Sequence, residues 1–316
     1  MSEAGTVTER VSVVDGHAHV GALAPQDIDS EYMRNEWHGA SHQDLLKLMD
    51  ASGVEAAILH NARHWSNRYL ARVARESHGR LFPLFKLHEG MAHSGGGIES
   101  LQHAVTADGF RGLYYDPWPQ SLPAFDRFHE REFDPLWAAL EELDIPMAVV
   151  AYGADDPTRA TSRGNWSFLW RSLRIVLDRH PRLKAYVVHG LFPGRRRPEG
   201  VLIDGRVVLP DEVTELLRDH EVYLDILPGY IANTYGPNDV ILRAMFDTFG
   251  PERLIWGSEF TKGANLSPEK RNTLEQYRYQ LGYLADRHPY MTTNDRALIH
   301  GQNARRLWRI GRCAGS

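Results

Sequence analysis

Short apolar runs alternate with longer amphipathic stretches along almost the whole chain. Residues 11–14 are rich in valine and predict a strand. Residues 44–49 carry a helix pattern that stops at Gly53, and residues 54–59 predict a second strand. A helix over about 66–77 and a strand over 81–87 follow, and a glycine run at 95–97 opens the next helix. Further strands are predicted at 110–115, 146–151, 183–188, 222–227 and 254–257, with helices at about 132–143, 165–179, 211–219 and 238–248. Eight such alternations predict an α/β fold, the (β/α)8 TIM barrel, as one domain over residues 1–316. The competing arrangement is an open doubly wound sheet, but no glycine-rich dinucleotide fingerprint follows the first strand. Residues 21–41 are irregular and polar, too long for an ordinary strand–helix loop, and read as a lid-like insertion. Residues from about 268 to 310 read as C-terminal helices.

In a barrel the functional residues stand at the C-terminal ends of the strands. His17, His19, His60, His88, Asp116, His189, Asp225 and Glu259 all fall at or near such ends. Residues two apart in a strand share a side, so His17 and His19 converge on one point, which suits a metal ion. Alternation makes a further check. Phe85, Leu87 and Leu113 suit the helix layer, which turns Lys86, His88, Tyr114 and Asp116 toward the barrel axis. Ile255, Gly257 and Glu259 share one side.

Composition narrows the classes. A net charge of −5 argues against nucleic acid as a bulk partner. No apolar run is long enough to span a membrane, and residues 1–10 show no signal-peptide pattern, so the expectation is a cytoplasmic enzyme. The single Cys313 leaves any metal site to His, Asp and Glu.

The segments Asp15-Gly16-His17-Ala18-His19, Gly109-Phe110-Arg111-Gly112-Leu113, His180-Pro181-Arg182-Leu183 leading to His189-Gly190, Glu252 through Glu259, and Asn303-Ala304-Arg305-Arg306-Leu307 appear in order. Together they resemble the amidohydrolase-related TIM-barrel family of metal-dependent hydrolases and decarboxylases. The resemblance implies metal dependence through His17, His19, His189 and the acid at 259. Two departures stand out. The family usually carries Asp where this chain has Glu259, and a histidine at the end of the fifth strand, where residues 146–152 hold none. The segment Tyr277 to Leu284 resembles a branch of the same family that acts on acyl-CoA-type substrates and includes a nonheme diiron monooxygenase.

Two chemistries therefore stand side by side. One zinc or manganese ion on His17, His19 and His189, with Glu259 as ligand or base, gives a hydrolase or decarboxylase. Two irons need a larger donor set, which His17, His19, His60, His88, Asp116, His189 and Glu259 come near to supplying. The second reading is the expectation carried forward: a monooxygenase using molecular oxygen and an external electron donor to hydroxylate a bulky hydrophobic diterpenoid acid. Glu259 and Lys86 are its candidate catalytic residues. Trp65, Tyr114, Trp118 and Tyr230 are candidate apolar substrate contacts. Arg195, Arg196 and Arg197 are candidates for holding the phosphates of a CoA thioester. His64 and Asp225 are candidates for supporting the ligands, and a homodimer is left open.

Overall fold

The computed structural model describes residues 12–21, 41–61, 66–87, 94–115, 128–150, 166–189, 202–203, 206–207, 211–228, 239–260 and 273–311. Parallel strands β1 (Val13–Ala18), β2 (Val54–Leu59), β3 (Leu81–Pro83), β4 (Leu113–Tyr115), β5 (Met147–Val150), β6 (Ala185–Val188), β9 (Val222–Ile226) and β10 (Leu254–Trp256) alternate with helices. The helices are α1 (His42–Ser52), α2 (Asn67–Glu76), α3 (Gly95–Ala107), α4 (Asp134–Leu143), α5 (Trp166–Arg179), α6 (Asp211–Asp219) and α7 (Asp239–Phe249). Helices α8 (Leu274–Arg287), α9 (Thr293–Ala297) and α10 (Asn303–Trp308) complete the chain. Local chemistry sets several ends. Ser41 and Asp44 form a reciprocal cap on α1, and Gly53 ends it in the left-handed conformation at φ 71°.

The strands form one sheet in the order β1-β2-β3 and a second in the order β10-β9-β6-β5-β4. Isolated parallel bridges, Phe85 to Leu113 and Ala18 to Phe260, join the two sheets at both edges. The order around the ring is that of a TIM barrel, with two seams held by single bridges instead of ladders. The predicted third strand is shortened to Leu81–Pro83, where Pro83 pairs with Leu59, the last residue of its partner β2. A hairpin of β7 (Leu202–Ile203) and β8 (Arg206–Val207) lies in the β6–β9 connection, where the sequence reading placed only a loop. Its Asp204-Gly205 pair was a legible turn signal.

Side chains sort by alternation. Phe85, Leu87 and Leu113 join the large core between strands and helices. Val14, Ile58, Tyr114, Tyr186, Tyr223 and Ile255 form an inner cluster, packed against Leu307, Trp308 and Ile310 at the chain's C-terminal end. Trp308 meets Tyr186 edge-on with ring centroids 4.9 Å apart. Most of the expected lid lies outside the described residues. No described helix is long and apolar enough to cross a membrane.

Candidate metal centre

Strand β1 delivers His17 and His19 into the interior, and both are buried. His17 Nδ1 lies 2.6 Å from Asp225 Oδ2. His19 Nδ1 lies 2.9 Å from the His60 carbonyl oxygen. Both partners accept, so each Nδ1 carries the hydrogen, and this assigns the tautomers. Each Nε2 is then the basic nitrogen, and the two stand 2.9 Å apart. Two lone pairs facing each other at that distance need either a shared proton or a metal cation between them. Two nitrogens about 2.1 Å from one ion, at about 90°, would stand about 3.0 Å apart. Ligand histidines commonly donate their other N–H to a carboxylate or carbonyl, as both rings do here. The two nitrogens fit two positions on a divalent ion, while no group of three or more His, Asp, Glu or Cys among the described residues is already arranged around one.

His189 and Glu259 stand beside each other at the ends of β6 and β10. Both are buried, and His189 Nε2 is 3.8 Å from Glu259 Oε1. The His189 ring stacks on His17 with centroids 6.0 Å apart. Both residues hold left-handed backbone, φ 67° at His189 and 50° at Glu259. Such a conformation costs a non-glycine residue about 1–2 kcal/mol. The His189 amide donates to Asp225 Oδ2 at 3.3 Å, and the Glu259 amide to the His17 carbonyl at 2.8 Å.

Asp225 is the hub beneath these side chains. It also accepts from the Tyr186 hydroxyl at 2.6 Å. Burial pushes its carboxyl up to about 7, against the pull of the Tyr186 hydrogen bond and of His189. A divalent ion on His17 would favour the ionised form. Burial likewise pushes the Tyr186 hydroxyl well above its ordinary range.

His60 was expected to serve a second metal ion. It does enter the interior, stacked on His17 with centroids 4.0 Å apart. Its Nε2, however, lies 3.0 Å from the Gly16 carbonyl oxygen and so carries a hydrogen. One ring nitrogen is spent on backbone, because the irregular end of β1 brings that carbonyl beneath the ring. Tyr114, expected at the substrate, is only 2% exposed and packs edge-on to His60 with centroids 5.6 Å apart. Lys86 is half-buried beyond β3, and the Asn67 side chain holds both its amide, at 3.0 Å, and its carbonyl, at 2.7 Å. His64, Trp65, His88, Asp116, Trp118, Arg195, Arg196, Arg197 and Tyr230 lie outside the described residues. Asp15, Tyr186, Ser258 and Tyr277 were not anticipated as contributors. The only signal for Asp15 was its place in the His17–His19 motif.

No curated protein matches the chain. Solved structures do, over almost its full length. A probable 2-pyrone-4,6-dicarboxylic acid hydrolase from Acinetobacter baumannii is 17% identical, covers 94% of this chain and 99% of its own, and superposes with a TM-score of 0.67. An amidohydrolase from Burkholderia multivorans is 16% identical, with 95% and 100% covered and a TM-score of 0.69. A 5-carboxyvanillate decarboxylase from Novosphingobium aromaticivorans, complexed with manganese and a nitrobenzoic acid, is 14% identical, with 95% and 96% covered and a TM-score of 0.60. At these identities the likeness establishes the fold. The Amidohydrolase family model matches residues 14–310, and the chain belongs to that family.

Proposed function

We propose that the protein is a hydrolase or decarboxylase that uses one divalent metal ion to cleave a small carboxylated substrate without oxygen. The observation that carries this is the pair of basic nitrogens on His17 and His19, 2.9 Å apart with both tautomers set from behind. His189 and Glu259 would complete the ligand set. A bound divalent ion supplies a Lewis acid and lowers the pKa of a bound water. Glu259 then serves as the base or acid at the reacting carbon, held near His189 by its unusual backbone. Asp225 keeps His17 oriented. Lys86, its backbone clamped by Asn67, offers a cation for a substrate carboxylate. The printed names of two structural neighbours, a dicarboxylic acid hydrolase and a carboxyvanillate decarboxylase, support a carboxylated substrate.

The two-iron monooxygenase, acting on a CoA-linked diterpenoid acid with an external electron donor, is the second reading. Glu259 in place of Asp and a fifth strand without histidine favour it. The printed names of the structural neighbours, a hydrolase and a decarboxylase, favour the first. One substitution separates the two. In the first reading Glu259→Asp restores the family's usual acid and keeps turnover within about tenfold. In the second it withdraws the carboxylate by about 1.5 Å, one carbon–carbon bond, where ligation tolerates about 0.2 Å. Metal content and turnover of 5-carboxyvanillate and 2-pyrone-4,6-dicarboxylate, with and without oxygen, complete the test. One metal per chain and oxygen-independent product are expected. Two irons per chain with strictly oxygen-dependent turnover would overturn the proposal.

A further inference from the structure

The seam between β10 and β1 has one bridge, Ala18 to Phe260, yet it carries His17, His19 and Glu259. The strands approach closely here because Gly16 and Gly257 face each other's strand. A Cβ on Gly16 would collide with Ile255, and one on Gly257 would stand 2.5 Å from His17 Cβ. The pairing register of β1 with β2 slips between Asp15 and Ala18. The ladder is short here: the Glu259 amide donates to the His17 carbonyl at 2.8 Å and the His19 amide to the Phe260 carbonyl at 3.2 Å, and a side chain on β1 reinforces these two bonds.

Asp15 does so. It is fully buried and accepts four hydrogen bonds from three elements. Its Oδ1 takes the amides of Ser258 at 2.9 Å and His17 at 3.2 Å. Its Oδ2 takes the Ser258 hydroxyl at 2.5 Å and the Tyr277 hydroxyl of α8 at 3.0 Å. The Ser258 hydroxyl in turn accepts from the Phe260 amide at 3.0 Å. The carboxylate therefore reinforces the short ladder: it binds the His17 amide directly and, through Ser258, both neighbours of Glu259.

We propose that Asp15, Ser258 and Tyr277 form a strap that positions His17 and Glu259 for metal binding, which couples helix α8 to metal affinity. The strap deepens the metal-dependent reading above and rests on it. Asp15 and Tyr277 are positioning residues, since neither is offered as a ligand.

The amide of Asp15→Asn fits the same space. Its oxygen can keep the two backbone donors, which cannot turn, while its NH2 faces two hydroxyls that can turn to accept. Tyr277→Phe removes one donor and leaves three. The test titrates manganese, and separately zinc, into metal-free full-length protein against a competing chelator, with the thermal midpoint of each apo variant measured beside it. Loss of a supporting hydrogen bond at a metal site costs about 10–100-fold in affinity. We expect about tenfold weaker binding for Tyr277→Phe and up to about a hundredfold for Asp15→Asn. Ser258→Thr should bind as wild type and Ser258→Ala should not. Adding Tyr277→Phe to Asp15→Asn should cost much less than it does alone, because both break one network. Met49→Ala, a buried truncation in α1, should lower the midpoint and leave metal affinity unchanged. Wild-type affinity in both Asp15→Asn and Tyr277→Phe would overturn the strap alone. A wild-type protein that binds neither ion would overturn the metal reading and the strap with it.

Discussion

Replacing Asp225 with asparagine tests the tautomer assignment on which the proposed metal centre depends. The carboxylate has three donors: His17 Nδ1 at 2.6 Å and the His189 amide at 3.3 Å on Oδ2, and the Tyr186 hydroxyl at 2.6 Å on Oδ1. In Asp225→Asn the side-chain oxygen can stay with His17 and His189, while the NH2 meets Tyr186, whose oxygen can accept. The fold should therefore survive. The negative charge behind the imidazole is lost, and with it some basicity at Nε2. Changes of this kind weaken metal binding about 10–100-fold, or about 1.4–2.7 kcal/mol. Asp225→Ala is harsher. It strands two buried side-chain donors, at about 1–3 kcal/mol each, and so should cost folding stability as well as metal. The assay is competitive titration of metal-free protein with manganese or zinc, beside urea unfolding of each apo form. Unchanged metal affinity in Asp225→Asn would refute the reasoning, since His17 would then need neither the charge nor the fixed hydrogen.

Two further predictions concern the frame. His300 is buried edge-on to Trp256 with ring centroids 5.6 Å apart, and burial, helped by Arg296, lowers its pKa from 6.5 to about 4. Above pH 6.5 the ring is neutral in both folded and unfolded chains; as pH falls toward 4 only the unfolded chain gains the proton, so stability drops by about 2 kcal/mol between pH 7 and 5. Metal-free His300→Phe should lose that much of the wild-type pH dependence in urea unfolding, and an identical slope would refute it. Trp308 is 1% exposed in the inner cluster, so Trp308→Ala should cost about 3–5 kcal/mol, and a loss under about 1 kcal/mol would show that the cluster's packing is not what it contributes.

The barrel order was legible because strand and helix periods differ and alternate cleanly. The inward turn of Tyr114 and Ile255 followed from the same two-residue rule. His17, His19, His189 and Glu259 could be placed together because each stands at a strand end. The state of each ring could not be read. His60 was placed correctly in the interior, but its bond to Gly16 depends on a local slip in β1 that no periodicity encodes. Asp15 and Tyr277 are separated by 262 positions, and nothing at either place signals the other. The β7–β8 hairpin was missed for a different reason: its strands are two residues each, too short for alternation to register.

The seam also sets when the proposed metal centre could form. Asp15 and Ser258 are 243 residues apart, so a ribosome adding about 5–20 residues per second separates them by about 12–50 seconds. Closing a flexible loop of that length costs about 5 kcal/mol of chain entropy. Throughout that interval the nascent chain displays His17 and His19 but lacks Ser258, Glu259 and Tyr277. A free ion meeting it then finds two imidazoles and no strap. On the proposed reading, tight metal capture would belong to the last stage of synthesis, after the end of β10 has met the start of the barrel.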